Sequence, residues 1–118
     1  MPKKWSDRIL ISDLADEPAF SDELASIHDR VAQVNPDEAS DVVLNFAAVT
    51  YLNSSNIAQL LRLREMVQTN NRRLRFCSLG DEVWSVMLLT GLDKVFQFAP
   101  DPASAIASLQ LANDPMDQ

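Results

Sequence analysis

The chain has 118 residues, 47% of them apolar and 23% charged, which suits one globular domain with its own core and excludes disorder over most of the length. Ten basic against 17 acidic residues leave a formal net charge of −7, so a nucleic-acid groove or adhesion to an anionic membrane surface is disfavoured by long-range repulsion. The lone Cys77 allows no intrachain disulfide or repeated-cysteine zinc site and fits a reducing, cytoplasmic compartment.

The opening residues 1–7 carry too little apolar sequence for a secretory core, and no run approaches the roughly 18 residues of a membrane span. They are read as a loose end able to add a partial edge strand. Residues 8–14, centred on Ile9-Leu10-Ile11, predict a strand closed by Asp16, Glu17 and Pro18. Phe20, Leu24, Ile27, Val31 and Val34 recur at steps of four and three, which predicts a helix over 18–34. Asn35-Pro36 ends it, because the residue before proline is pushed out of the helical region.

Asp41 to Val49 is apolar on both parities with Asn45 as its interruption, the pattern of a central strand covered on both faces. Asn53-Ser54-Ser55-Asn56 follows, a cluster of side chains that favour helix caps. Ile57, Leu60, Leu61, Arg64 and Val67 then mark a second helix over 55–69, ended by Asn70-Asn71. Residues 74–78 alternate as a strand. Asp81 is placed to cap a third helix over 82–90 that ends at Gly91. Val95-Phe96-Gln97-Phe98 predicts another strand, and Asp101-Pro102 opens a last helix to about 112 with Ala105, Ile106 and Leu109 on its buried stripe. Residues 113–118 read as a frayed tail. Strands alternating with helices imply an α/β fold, a mostly parallel sheet of four or five strands flanked by about four helices, in one domain over 1–118.

With glycine only at Gly80 and Gly91, neither a G-x-G-x-x-G nor a Walker-type loop can form, and no cofactor or metal is expected. The one histidine, His28, flanks the apolar stripe of the first helix. A serine hydrolase would require it beside Ser54 or Ser55, and there is no G-x-S-x-G elbow. Cys77 reads as a small buried hydrophobe, and Asp16/Glu17 and Asp81/Glu82 as acids at helix starts. The turn at Asn53, Ser54, Ser55 and Asn56 has two readings, a plain helix cap or an exposed serine presented at the carboxyl edge of the sheet, where α/β proteins place working groups.

The run from Asp41 to Gly91 and on to Phe98 resembles the STAS domains, the anti-sigma factor antagonists and their relatives. The first signature stands as Val42-Val43-Leu44-Asn45-Phe46 leading to Tyr51-Leu52-Asn53-Ser54-Ser55-Asn56-Ile57. The second is Met87-Leu88-Leu89-Thr90-Gly91-Leu92. The resemblance implies a non-catalytic protein-binding module whose partner is an anti-sigma factor or related serine kinase carrying its own ATP. By position it makes Ser55 the phosphoacceptor, with Asn53, Ser54 and Asn56 shaping the acceptor turn. Two positions depart from the pattern: Asn53 stands where the family has an acid, and Asn56 where it has glycine. They keep open a second reading, a non-phosphorylated scaffold subunit of a signalling or transport assembly. A homo-oligomer is also left open.

On the third helix, Val83, Val86, Met87 and Thr90 can share one face, while Trp84 and Leu88 fall together on another. Either a further element such as the segment with Trp5 covers them, or they form an aromatic and aliphatic contact pair for a partner. Arg62, Arg64, Arg72, Arg73 and Arg75 form a local reversal of the chain's charge, read as a solvated face able to steer an acidic patch of a partner.

Overall fold

A computed structural model describes residues 3–6 and 8–111. Five strands form one sheet in the order β1 (Lys3–Ser6), β2 (Ile9–Ala15), β3 (Asp41–Ala48), β4 (Leu74–Cys77) and β5 (Gln97–Ala99). β1 runs antiparallel to β2 on one edge, and β2 to β5 are parallel. The helices are α1 (Ala19–Gln33), α2 (Ser54–Thr69), α3 (Asp81–Thr90) and α4 (Pro102–Leu111).

Sequential order with parallel strands requires three crossovers of one hand, which places α1, α2 and α3 on the same face. Their buried side chains, among them Leu24, Leu60 and Met87, join Val42, Leu44 and Phe46 of β3 in the larger core. α4 covers the other face through Ala105 and Leu109 against Ile9, Val43 and Cys77. The two apolar parities of β3 thus serve two cores. Asn45 lies past the cover of α4, where its amide donates to Asp13 Oδ1 at 2.9 Å. Rings run through the larger core from Phe20 to Phe46, Phe76 and Phe96, with centroids 6.5, 4.9 and 4.4 Å apart.

The amino edge of the sheet is fixed by Asp41, fully buried at the start of β3. Its carboxylate accepts from the Arg73 backbone N–H at 2.8 Å and pairs with the Arg72 guanidinium at 3.0 Å. The N–H of Val42 donates to the Arg73 carbonyl at 2.9 Å. One buried carboxylate therefore sets the register of β3 against β4.

Several local expectations are corrected. Residues 3–6 form the edge strand β1, the partial fifth strand expected of the opening segment; residues 1, 2, 7 and 112–118 lie outside the described residues. Val95 and Phe96 do not belong to a strand. Their N–H groups donate to Leu92 O at 3.0 and 3.1 Å, closing a 3-10 turn at Leu92–Lys94 that sends Phe96 into the core, and β5 starts two residues later than expected. Gly80 is the N-cap of α3, with Asp81 already helical, and Gly91 closes the helix in the left-handed region at φ 77°. Asn71, at φ 58°, takes the same conformation after α2. Val34 follows the end of α1 and is exposed, and the buried stripe of α2 is Asn56, Leu60, Leu63 and Val67, leaving Leu61 exposed. The stripe turns because Asn56 is drawn inward by a polar partner described below. Among the described residues no helix is long and apolar enough to cross a membrane.

Phe76, fully buried, touches the rings of Phe46, Phe96 and Phe98. Phe76→Ala is expected to cost about 3–5 kcal/mol, read as a lower urea midpoint at unchanged m-value.

Candidate functional site: the β3–α2 turn

β3 ends at Ala48, and the chain crosses the carboxyl edge of the sheet to enter α2. Asn53, extended at φ −106° and ψ 176°, is the N-cap. Its side-chain carbonyl accepts the Asn56 N–H at 2.8 Å, and Asn56 Oδ1 accepts the Asn53 N–H at 3.1 Å. This is a capping box in which two amides replace the usual hydroxyl and carboxylate. Two otherwise orphaned helix N–H groups are satisfied without placing any acid in the first turn of α2.

The Asn56 side chain is 1% exposed. Its Nδ2 donates to Glu17 Oε2 at 3.2 Å and lies 3.5 Å from Gln59 Oε1. Glu17 accepts in addition from the N–H and hydroxyl of Ser21 at 2.8 and 2.6 Å, and Gln59 Nε2 donates to Ser21 Oγ at 3.1 Å. Next to it, Asp16 accepts from the backbone N–H and the hydroxyl of Thr50 at 2.9 and 2.6 Å. The β2–α1 loop is thereby strapped to both ends of the β3–α2 turn. Asp16 and Glu17, read from sequence as acids placed for the helix dipole, are the carboxylates that hold this turn. Their hydrogen bonds, chiefly from Thr50 to Asp16 and from Ser21 to Glu17, hold both below the ordinary values of 3.8 and 4.5. An acid pair ahead of a Thr and an Asn some 34 and 39 residues on carries no sequence signal, because only the fold brings them together.

Ser54 and Ser55 occupy the first turn of α2 and are exposed, as is Asn53. The hydroxyl of Ser55 is therefore open to approach on a backbone whose neighbours are fixed. His28 is not near it. Its Nδ1 lies 2.9 Å from Met66 Sδ, and Met66 stands about 16 Å along α2 from Ser55 at 1.5 Å per residue. The constellation that a serine hydrolase needs is not assembled. Cys77 is buried, and its thiol is pushed up chiefly by that burial.

α3 starts at the same edge as α2. Val83 and Met87 enter the core, while Trp84 is 37%, Leu88 52% and Leu89 87% exposed. Trp84 meets Phe98 edge to face at 5.1 Å, so β5 supports one side of the indole. The side chain of Trp5 lies outside the described part of the chain.

A mostly parallel α/β sheet with three helices on one face, one on the other and a capped serine turn after its central strand defines the class. The STAS domain family matches residues 10–105, and the chain belongs to it. In structure it is similar to a serine-to-glutamate variant of RsbS from Moorella thermoacetica, with a TM-score of 0.80 at 11% identity over 96% of each chain. It is also similar to a putative anti-sigma factor antagonist from Thermotoga maritima, with a TM-score of 0.77 at 13% identity over 93% of each chain. A third is the Bacillus cell fate determinant SpoIIAA in its phosphorylated form, with a TM-score of 0.69 at 15% identity over 92% of this chain and 96% of that one.

Two outcomes test the turn. Asn53→Ala is expected to lower stability by about 0.5–2 kcal/mol, measured by urea unfolding. Because the carboxyls of Asp16 and Glu17 are held below 3.8 and 4.5, they contribute stability that is present above those values and lost as the pH falls through the lowered ones. An Asp16→Asn, Glu17→Gln protein is expected to lose that part of the acid dependence, seen as a flatter plot of urea midpoint against pH.

Proposed function

We propose that this chain is a non-catalytic, protein-binding regulatory module of the anti-sigma factor antagonist type. In this reading a serine kinase partner, itself an anti-sigma factor or a relative of one, brings ATP and magnesium, and Ser55 contributes the accepting hydroxyl in the cytoplasm. The observation that carries the proposal is Ser55, exposed in the first turn of α2 while Asn53 and Asn56 on either side are fixed by the capping box. Family membership and the likeness to a phosphorylated neighbour support it.

The physical chemistry of the switch is favourable to folding and unfavourable to association. A phosphoserine adds about −1.5 to −2 charge. At a helix N-terminus an anion is worth roughly 0.3–1 kcal/mol, and the first turn of α2 holds no acid to oppose it. Inside an interface the same group meets desolvation and acidic neighbours, where about 1.4 kcal/mol is tenfold in affinity. Trp84 and Leu88 complete the proposed contact surface, since a partly exposed aromatic held by a neighbour loses little freedom on binding.

Asn53 and Asn56 favour one second reading, a scaffold that is never phosphorylated, because the departures fall on the acceptor turn itself. Capture from native cell extract with wild-type, Ser55→Ala and Ser55→Asp proteins, followed by phosphosite mapping, separates the two. The switch predicts phosphate on Ser55 and about tenfold or greater loss of partner with Ser55→Asp, at unchanged melting temperature. Equal capture by all three proteins without phosphate on Ser55 selects the scaffold. Trp84→Ala is expected to weaken capture by about 2 kcal/mol, the size of an interface hot spot, with Leu88→Ala in the same direction.

A further inference from the structure

Three large apolar side chains of α3 face water. Trp84, Leu88 and Leu89 are exposed on a helix of ten residues whose core contact is made by Val83 and Met87. Exposed leucines scattered singly are ordinary, whereas a contiguous apolar face marks an interaction surface. At 3.6 residues per turn these three, with Ser85 between them, share the solvent side of the helix. β1, in the segment weighed from the sequence as their cover, lies at the opposite edge of the sheet from β5. At one strand spacing after another it stands about 19 Å away, too far to cover them.

We propose that this face packs against the same face of a second copy of the chain, the two α3 helices lying antiparallel about a two-fold axis. A two-fold interface is self-complementary: residue i of one copy meets j of the other, and j meets i. Trp84 and Leu88, one turn apart on the same side of the face, satisfy that condition. With the axis crossing the helix midway between them, each indole lies over the leucine of the other copy. Ser85, small and exposed in the middle of the face, lets the helices approach. The charges follow the same symmetry. Asp81 and Glu82 stand exposed at the start of α3 and Lys94 just past its end, their side chains without a partner among the described residues. An antiparallel pair brings the acids of each copy toward the lysine of the other. The indole is already held edge to face on Phe98 at 5.1 Å, so burying it costs little freedom. One helix pair buries less than the roughly 1,600 Å² of a standard interface, which makes the dimer weak and reversible, and the net charge of −7 on each copy opposes it at low salt. A different partner that takes Trp84 and Leu88 must compete with this self-association. The inference does not depend on the phosphorylation reading.

The test is sedimentation velocity on the full chain over a range of concentrations, at low and at high salt, with thermal melts to confirm folding. The wild-type protein is expected to pass from monomer to dimer as concentration rises. It is expected to do so more readily at high salt, which screens the repulsion between two copies of like charge. Leu88→Asp is expected to abolish the dimer and Trp84→Ala to weaken it about tenfold or more. Leu61→Ser, at an exposed leucine of α2 outside the face, is expected to associate as wild type does. A wild-type protein that stays monomeric throughout overturns the proposal and leaves the face to a different partner. Association unchanged in folded Leu88→Asp and Trp84→Ala proteins also overturns it, as does association that weakens as salt rises.

Discussion

The buried amide of Asn56 is the interaction on which the geometry of the serine turn depends. An amide removed from water without partners costs a few kcal/mol, so a 1% exposed asparagine requires its bonds to be made. Here one end of the amide closes the capping box with Asn53, and the other reaches Glu17 in a different loop. The first bond fixes where α2 begins, and the second fixes where that beginning sits relative to β2. Asp16, held by Thr50, adds a second strap of the same kind. The exposed serines are therefore carried on a helix start that is tied to a second loop.

The two edges of the sheet differ in chemistry. At the carboxyl edge, polar side chains from the β2–α1 loop and the α2 cap build a turn with acids beneath and hydroxyls outward. At the amino edge, Asp41 draws Arg72 and the Arg73 backbone together and leaves a predominantly cationic groove beside them. Between them lies a core that is aromatic along its length, from Phe20 to Phe98, and it ends at Trp84 on the surface. A rigid sheet of this kind separates its two rims without needing either to move.

Much of the fold is legible in the sequence because each signal is local. The apolar run of β3, the stripe of α1 from Phe20 to Val31 and the stop at Gly91 can be read from neighbours alone. Where the structure departs, a longer-range term decides. Val95 and Phe96 look like strand, yet the turn begun at Gly91 captures their N–H groups and the core takes Phe96. In α2 the helical period permits Leu61 on the buried stripe, and the bond from Asn56 to Glu17 turns Leu63 in instead. β1 is short and rich in charge, so periodicity gives it little. At the site, the serine turn is legible as a cap and as a family signature. The straps from Asp16 and Glu17 are not, since nothing in either segment points to the other.

The two asparagines that depart from the family pattern also bear on how the turn would tolerate a phosphate. An acidic cap at position 53 would place a full negative charge within the same helical turn as Ser55, whereas the Asn53 carbonyl makes the same bond to the Asn56 N–H as a neutral acceptor. Asp16 and Glu17 accept from Thr50, Ser21 and Asn56, bonds that stabilise their ionised forms, so these two charges stay on the inner side of the turn. The positive end of α2 faces the added group and favours it, against the two carboxylates behind the turn. Asn56, for its part, points inward and leaves the outer surface of the turn to the serines, so the bulk it adds relative to glycine is spent in the interior. The two asparagines thus keep the serine turn rigid and add no charge of their own to it, and under the proposed switch the larger cost of a phosphate falls on the interface with the partner.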